Sequence, residues 1–354
     1  SPGRGATRAA TVYFRPTPVS PWPPQRGVSM RLSAERLSLL RARQKSDEDS
    51  GRRLPGWLRA PLPGGERYSR IKQALRQRGL HTVCEEAQCP NIGECWNEGT
   101  ATLMLMGDTC TRACRFCAVK FANEPAPLDP GEPNHAAEQV ALMELDYVVL
   151  TSVNRDDLED GGAGHFAATI TAIGQRAPST LVEVLTPDFQ GVERDIATVL
   201  DAAPHVFAHN VETVPALQGK IRDRRANWQQ SVDVLRFARA HRPEVVTKSS
   251  IMLGLGETDA QVDEALCRLR EADVDAVTLG QYLRPSPWHH EVVEFISPEV
   301  FERWQKRCTE LGFRYAACGP LVRSSYRAGE FYLRAIAESR TEQQIAQDKT
   351  SPTS

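Results

Sequence analysis

This sequence predicts an α/β fold, a partial (β/α)6 TIM-like barrel, on three observations. Short apolar runs recur at 101–106, 147–150, 181–185, 206–208, 245–253 and 276–279. Stretches of helical periodicity at 135–145, 165–176, 228–241 and 260–272 lie between them. Strand alternating with helix makes βαβ units around a parallel sheet. Polar clusters follow the runs, in "GDTC", "TSVNRDD", "TPDF", "NVET", "GLGET" and "QYLRPSPWHH". In such folds the carboxyl ends of the strands carry the chemistry, so these six loops should line one mouth. The runs lack strict alternation, which fits a sheet covered on both faces.

Taken in order, residues 1–34 hold five arginines, six prolines and no acidic residue. An Arg-rich, acid-free start resembles an organelle transit peptide. Its proline density works against an amphipathic helix, and Met30 offers an alternative start. The reading adopted is a disordered extension, or one upstream of the true start, on a cytoplasmic protein. A genuine transit segment in 1–29 would make it organellar. Residues 35–99 form an N-terminal segment bearing three cysteines. Within it, "RYSRIKQALRQRGL" reads as a helix with Ile71, Leu75 and Leu80 near one face and Gly79 at its C-cap. The barrel occupies 100–312, a C-terminal segment 313–335 and a polar tail 336–354.

At 354 residues, 41% hydrophobic and with a formal net charge of −2, the chain can bury a sizeable core. Near-neutral charge supplies no general attraction to nucleic acid or acidic membranes, and neither is expected as a partner. No run approaches the length of a transmembrane helix.

Six of the nine cysteines fall between Cys84 and Cys117. Such clustering beside a large core argues for metal ligation in a reducing compartment. Cys110, Cys114 and Cys117 have the spacing C-x3-C-x2-C in the loop after the first strand. Three thiolates can hold three irons of a four-iron cluster and leave the fourth iron open. Arg112, Arg115 and Lys120 are expected to keep these thiolates deprotonated. A zinc knob would need a histidine as fourth ligand, and none lies within ten residues. Cys84, Cys89 and Cys95 form a second triad, C-x4-C-x5-C. Cys267, Cys308 and Cys318 are scattered and read as buried apolar residues.

The C-x3-C-x2-C loop after strand one, with Phe116 before its third cysteine, resembles the radical S-adenosylmethionine (SAM) superfamily. The two triads in this order resemble, more specifically, the lipoyl synthase family. "PNIGECW", "GDTCTRACRFCAV", "TSVNRDDLEDGGAGHF", "TKSSIMLGLGET", "LGQYLRPS" and "RSSY" agree, across about residues 65–335. The resemblance implies two 4Fe–4S clusters with SAM as cosubstrate. One cluster sits on Cys110, Cys114 and Cys117 and cleaves SAM. The other sits on Cys84, Cys89, Cys95 and Ser325 of the R-S-S-Y motif. An alkoxide matches soft iron–sulfur poorly, so the serine bond is the one expected to open. SAM contacts are implied for Gly161, Gly162, Glu183, Asn210 and Glu257.

The implied reaction makes C–S bonds at C6 and C8 of a protein-bound octanoyl-lysine. No side chain is basic enough to deprotonate such carbons, so hydrogen-atom abstraction is required. The auxiliary cluster is the implied sulfur donor. Implied partners are octanoylated carrier domains, the glycine cleavage H protein and 2-oxoacid dehydrogenase E2 subunits, with ferredoxin or flavodoxin as electron donor. Tyr282, Arg284, His289 and His290 fall on the expected substrate side. Pro287 and Trp288 replace a basic pair common in the family. Another auxiliary-cluster radical SAM enzyme, or a non-catalytic iron–sulfur carrier, would show similar triads.

Overall fold

A computed structural model describes residues 54–59, 63–78, 81–82, 89, 91–97 and 99–325. Among the predicted features, residues 1–53, Gly79, Cys84, Tyr326 and the tail 336–354 lie outside them.

Seven strands run parallel: β2 (Thr100–Leu105), β3 (Tyr147–Ser152), β4 (Leu181–Leu185), β5 (Val206–Ala208), β6 (Val246–Leu253), β7 (Ala276–Gln281) and β8 (Tyr315–Gly319). Each pairs with the next in sequence. The short β1 (His81–Thr82) adds antiparallel to β2. A strand order that advances without reversal winds a barrel and has no switch point. Among the described residues no strand joins β1 to β8, so the barrel stays open. The six predicted strands are all present. The seventh, β8, falls in the segment predicted to be only a C-terminal extension.

Helices α1 (Glu66–Arg78) and α2 (Ile92–Asn97) precede the barrel. Around it lie α3 (Glu132–Leu142), α4 (Ala163–Arg176), α5 (Glu193–Asp201), α6 (Trp228–His241), α7 (Asp259–Glu271) and α8 (Pro298–Glu310). Local sequence sets their starts. Asn227 caps α6 by accepting from Gln230 N, and Thr258 with Gln261 makes a full capping box on α7.

Alternation along the strands divides the core into two layers. Val148, Leu150, Val182, Val184 and Phe207 point outward onto Val140, Phe166, Ile170 and Val199 of the helices. Ile251, Leu253, Val277 and Leu279 do the same against α6 to α8. The opposite parity faces the barrel interior: Tyr147, Val149 and Leu181 in one group, Val206, Val246 and Ala276 in another.

Among these inner residues are two charges. Lys248 Nζ lies 2.9 and 3.0 Å from the Glu183 oxygens, and Tyr147 donates to Glu183 Oε2 at 2.5 Å. Glu183, expected as a SAM contact, is this carboxylate. It stands in mid-strand, opposite Val149 and Val206, and its carboxylate is engaged inside the barrel wall.

Candidate active site and auxiliary cluster cavity

After β2 the chain turns through Met106 and Gly107, both at positive φ (67° and 84°). Thr109–Cys110 then pairs with Lys120–Phe121 in a two-residue parallel ladder. The ladder closes a loop holding Cys110, Cys114 and Cys117. Backbone N–H groups donate to its sulfurs: Arg112 N at 3.4 Å and Asn154 N at 3.3 Å to Cys110, and Asp223 N at 3.3 Å to Cys114. Burial pushes the Cys114 thiol up to about 11 and the Cys117 thiol up to about 12. Thiols so placed ionise on gaining a metal, which deprotonates a ligating cysteine.

The three predicted cations serve other partners, which corrects their expected role. Buried Arg112 donates to both oxygens of Asp156 (2.7 and 2.9 Å) and both of Asp188 (2.7 and 2.8 Å). Arg115 stacks on Trp288, its guanidinium 4.9 Å from the ring centroid. Lys120 pairs with Asp108 at 2.7 Å. Arg112 thereby fastens the cysteine loop to the loops after β3 and β4. Arg225 adds the loop after β5, donating to the Thr111 carbonyl at 2.6 Å and pairing with Asp223 at 2.9 Å.

The segment after β7 closes over this loop. His289 Nε2 lies 2.8 Å from the Cys117 carbonyl, and His290 N donates to the Arg115 carbonyl at 2.8 Å. Buried Tyr282 donates to the His290 carbonyl at 2.7 Å. Arg284 donates to the His289 carbonyl at 2.9 Å. All four residues predicted on the substrate side thus brace the cysteine loop.

Of the predicted SAM contacts, Gly161 and Gly162 stand at positive φ (60° and 90°) at the start of α4. A Cβ on Gly162 would meet Met106 Sδ at 2.2 Å, so close packing as well as backbone conformation requires glycine. Glu257 accepts from Gly254 N (2.6 Å) and Leu255 N (2.9 Å). Both its oxygens accept within its own loop, so it shapes that loop. Asn210, two residues beyond β5, hydrogen-bonds Glu212, while its Oδ1 is buried without a partner. Ser152 Oγ, at the end of β3, is likewise buried and unpaired. Unpaired buried oxygens at strand ends fit a polar ligand. Beside them, burial lifts the Glu212 carboxyl against the pull of Arg222 and Asn210. Sequence reading did not single out Glu212.

A second site lies between the open edges of the barrel. Cys89, Asn91, Ile92, Cys95, Thr100, Thr102, Arg323 and Ser325 line a small cavity partly open to solvent. Asn91 Nδ2 donates to the Leu321 carbonyl at 2.7 Å, across 230 positions of sequence. The C-terminal segment runs close over β7: a Cβ on Gly280 would lie 2.1 Å from the Val322 carbonyl oxygen. Burial raises the Cys89 thiol, opposed by the Asn91 N–H and the Arg323 charge. The cavity therefore gathers two cysteines of the first triad with the R-S-S-Y serine. Cys84 lies outside the described residues. Among the described residues no three His, Cys, Asp or Glu side chains are gathered around one point to hold a single ion.

The Radical SAM superfamily model matches residues 104–281. The model for the N-terminal domain of lipoyl synthase of the Radical SAM family matches 30–89. The mitochondrial lipoyl synthase of Bos taurus is 57% identical over 293 residues, covering 81% of this chain and 79% of the relative. That of Homo sapiens is 56% identical over the same coverage. The chain belongs to the lipoyl synthase family. It is a radical SAM enzyme, and radical SAM sulfur insertion is what its family does. SAM and a four-iron cluster come with that membership. The residues present fit both: three thiols on one braced loop, and the unpaired oxygens of Asn210 and Ser152 at neighbouring strand ends.

Proposed function

We propose that the chain converts protein-bound octanoyl-lysine to lipoyl-lysine with two clusters, held by Cys110, Cys114 and Cys117 and by Cys84, Cys89, Cys95 and Ser325. One observation carries the second assignment: Cys89, Cys95 and Ser325 line a single cavity. A lone cysteine triad offers a cubane three ligands, and a serine on the same wall supplies the fourth. When bound, SAM and the first cluster supply the radical that removes hydrogen at C6 and C8, and the second cluster supplies sulfur. The loop bonds from Arg112, Asn154 and Asp223 hold Cys110 and Cys114 in position. Asn210, Ser152, Gly161 and Gly162 line the cosubstrate side.

Substrates are octanoylated carrier domains, such as the glycine cleavage H protein and 2-oxoacid dehydrogenase E2 subunits, and ferredoxin or flavodoxin is the reductant. The mitochondrial names of the relatives support an organellar site of action in place of the expected cytoplasmic one. The reconstituted enzyme, given SAM, dithionite and an octanoyl-lysine peptide, should release 5′-deoxyadenosine and lipoyl peptide. Ser325→Ala should still cleave SAM while its lipoyl yield falls more than about tenfold. An unchanged yield removes Ser325 from the site.

A further inference from the structure

Arg323 shares the cavity wall with Cys89, Cys95 and Ser325. Its described side-chain hydrogen bond, at 2.7 Å, goes to the carbonyl of its own neighbour Val322. Among the described residues no carboxylate lies within ion-pairing distance of it. Three arginines of the SAM-cleaving side are arranged differently. Arg112, Arg155 and Arg225 each hold an aspartate at 3.3 Å or less. Those three charges are neutralised by aspartates of the protein, whereas Arg323 has no carboxylate partner among the described residues.

Arg323 is half-buried, and a guanidinium partly withdrawn from water with no counter-ion among the described residues is costly. Such an arrangement persists where the missing anion is a ligand. The other lining groups are two thiols, a hydroxyl, two threonines, an asparagine and an isoleucine. None carries a fixed negative charge, whereas three thiolates around a four-iron cluster bring a net negative one. Guanidinium also has several N–H donors in a fixed fork and does not lose its proton in proteins. One face of the fork is taken by the Val322 carbonyl, which leaves the rest for sulfur.

We propose that Arg323 is the built-in counter-ion of the auxiliary cluster, stabilising its anionic sulfur and raising its reduction potential. The inference rests on the second cluster proposed above. It concerns the charge beside that cluster and not the identity of its ligands.

The test uses the full-length, cluster-loaded protein with Arg323→Met and Arg323→Lys. The readouts are iron count, the rate of iron loss to a chelator, and the auxiliary-cluster potential by EPR-monitored titration. Removing a unit charge at short range should lower the population of the reduced cluster about tenfold or more. That corresponds to a fall of about 59 mV for one electron. Iron loss to chelator should accelerate by a similar factor in Arg323→Met, and Arg323→Lys should restore most of both effects. The signal of the SAM-cleaving cluster in the same sample should not move, which separates a local effect from general unfolding. If wild type carries a second cluster and Arg323→Met leaves its potential and chelator resistance unchanged, the counter-ion role is wrong. If wild type binds only about four irons, and Cys89→Ala removes none, the two-cluster reading itself has failed.

Discussion

His209 shows how one buried residue can set a pH limit. Its Nδ1 lies 2.9 Å from the Thr186 carbonyl and its Nε2 lies 3.0 Å from Ser231 Oγ. A carbonyl only accepts, so Nδ1 carries the proton and Nε2 accepts from the serine. Arg222 donates to that same Ser231 oxygen at 2.7 Å, which turns the hydroxyl proton toward the ring. A second proton on the ring would be buried, would face this hydroxyl and would lie near Arg222. Burial and the Arg222 charge together hold His209 down at about 4. The unfolded chain takes up that proton near pH 6.5. The contribution to stability is therefore complete above about pH 6.5 and is lost as pH falls toward 4, by about 3 kcal/mol at most. His205, also depressed by burial, acts in the same direction. Denaturation measured at pH 7 and pH 5 should show the loss, and His209→Gln should flatten most of it. Equal stability at both pH values in wild type would mean that His209 is not held neutral. Residue-level roles of this kind were the least readable from sequence. Arg112 sits between two cluster cysteines, yet its partners Asp156 and Asp188 lie 44 and 76 positions away.

Elements were easier to read where one interaction dominates. A helix start such as Thr258 to Gln261 is set by a neighbour three positions on, and outward apolar parity identifies a covered strand. Strand β8 escaped because "YAACG" is short, rich in small residues and only half-buried at a sheet edge. Helix periodicity likewise gave no notice of charge inside the barrel. The Lys248–Glu183 pair on β6 and β4 has side-chain exposures of 4% and 1%. Removing one partner from such a pair strands the other. Lys248→Met should therefore destabilise the protein by about 3–5 kcal/mol, and adding Glu183→Leu should recover most of that. Chemical denaturation of the two variants checks this, and a single variant within about 1 kcal/mol of wild type would contradict a desolvated pair.

At the scale of the whole molecule, the segments just before and just after the barrel strands meet. Asn91 reaches Leu321, and the cavity with Cys89, Cys95, Arg323 and Ser325 forms there. The close passage of Val322 over Gly280 makes this arrangement sensitive to one methyl group. In Gly280→Ala the added carbon would meet backbone, which yields less readily than a side chain. The segment carrying Ser325 should shift, auxiliary iron should fall, and SAM cleavage on the Cys110 loop should continue. Iron analysis beside 5′-deoxyadenosine release tests this, and parallel loss of both would show a general collapse instead.

Spacing and periodicity along the chain already determined the six predicted barrel strands and the two cysteine triads. Those features are local: they depend on neighbours a few residues away and on the side-chain period of strand or helix. Tertiary structure alone decided which charges are neutralised, which carboxylates are engaged, and that Ser325 and Arg323 stand beside Cys89 and Cys95. These pairings form between residues tens to hundreds of positions apart. Burial then decides whether each charge is satisfied by the protein or left for a ligand, and burial is a property of the packed molecule.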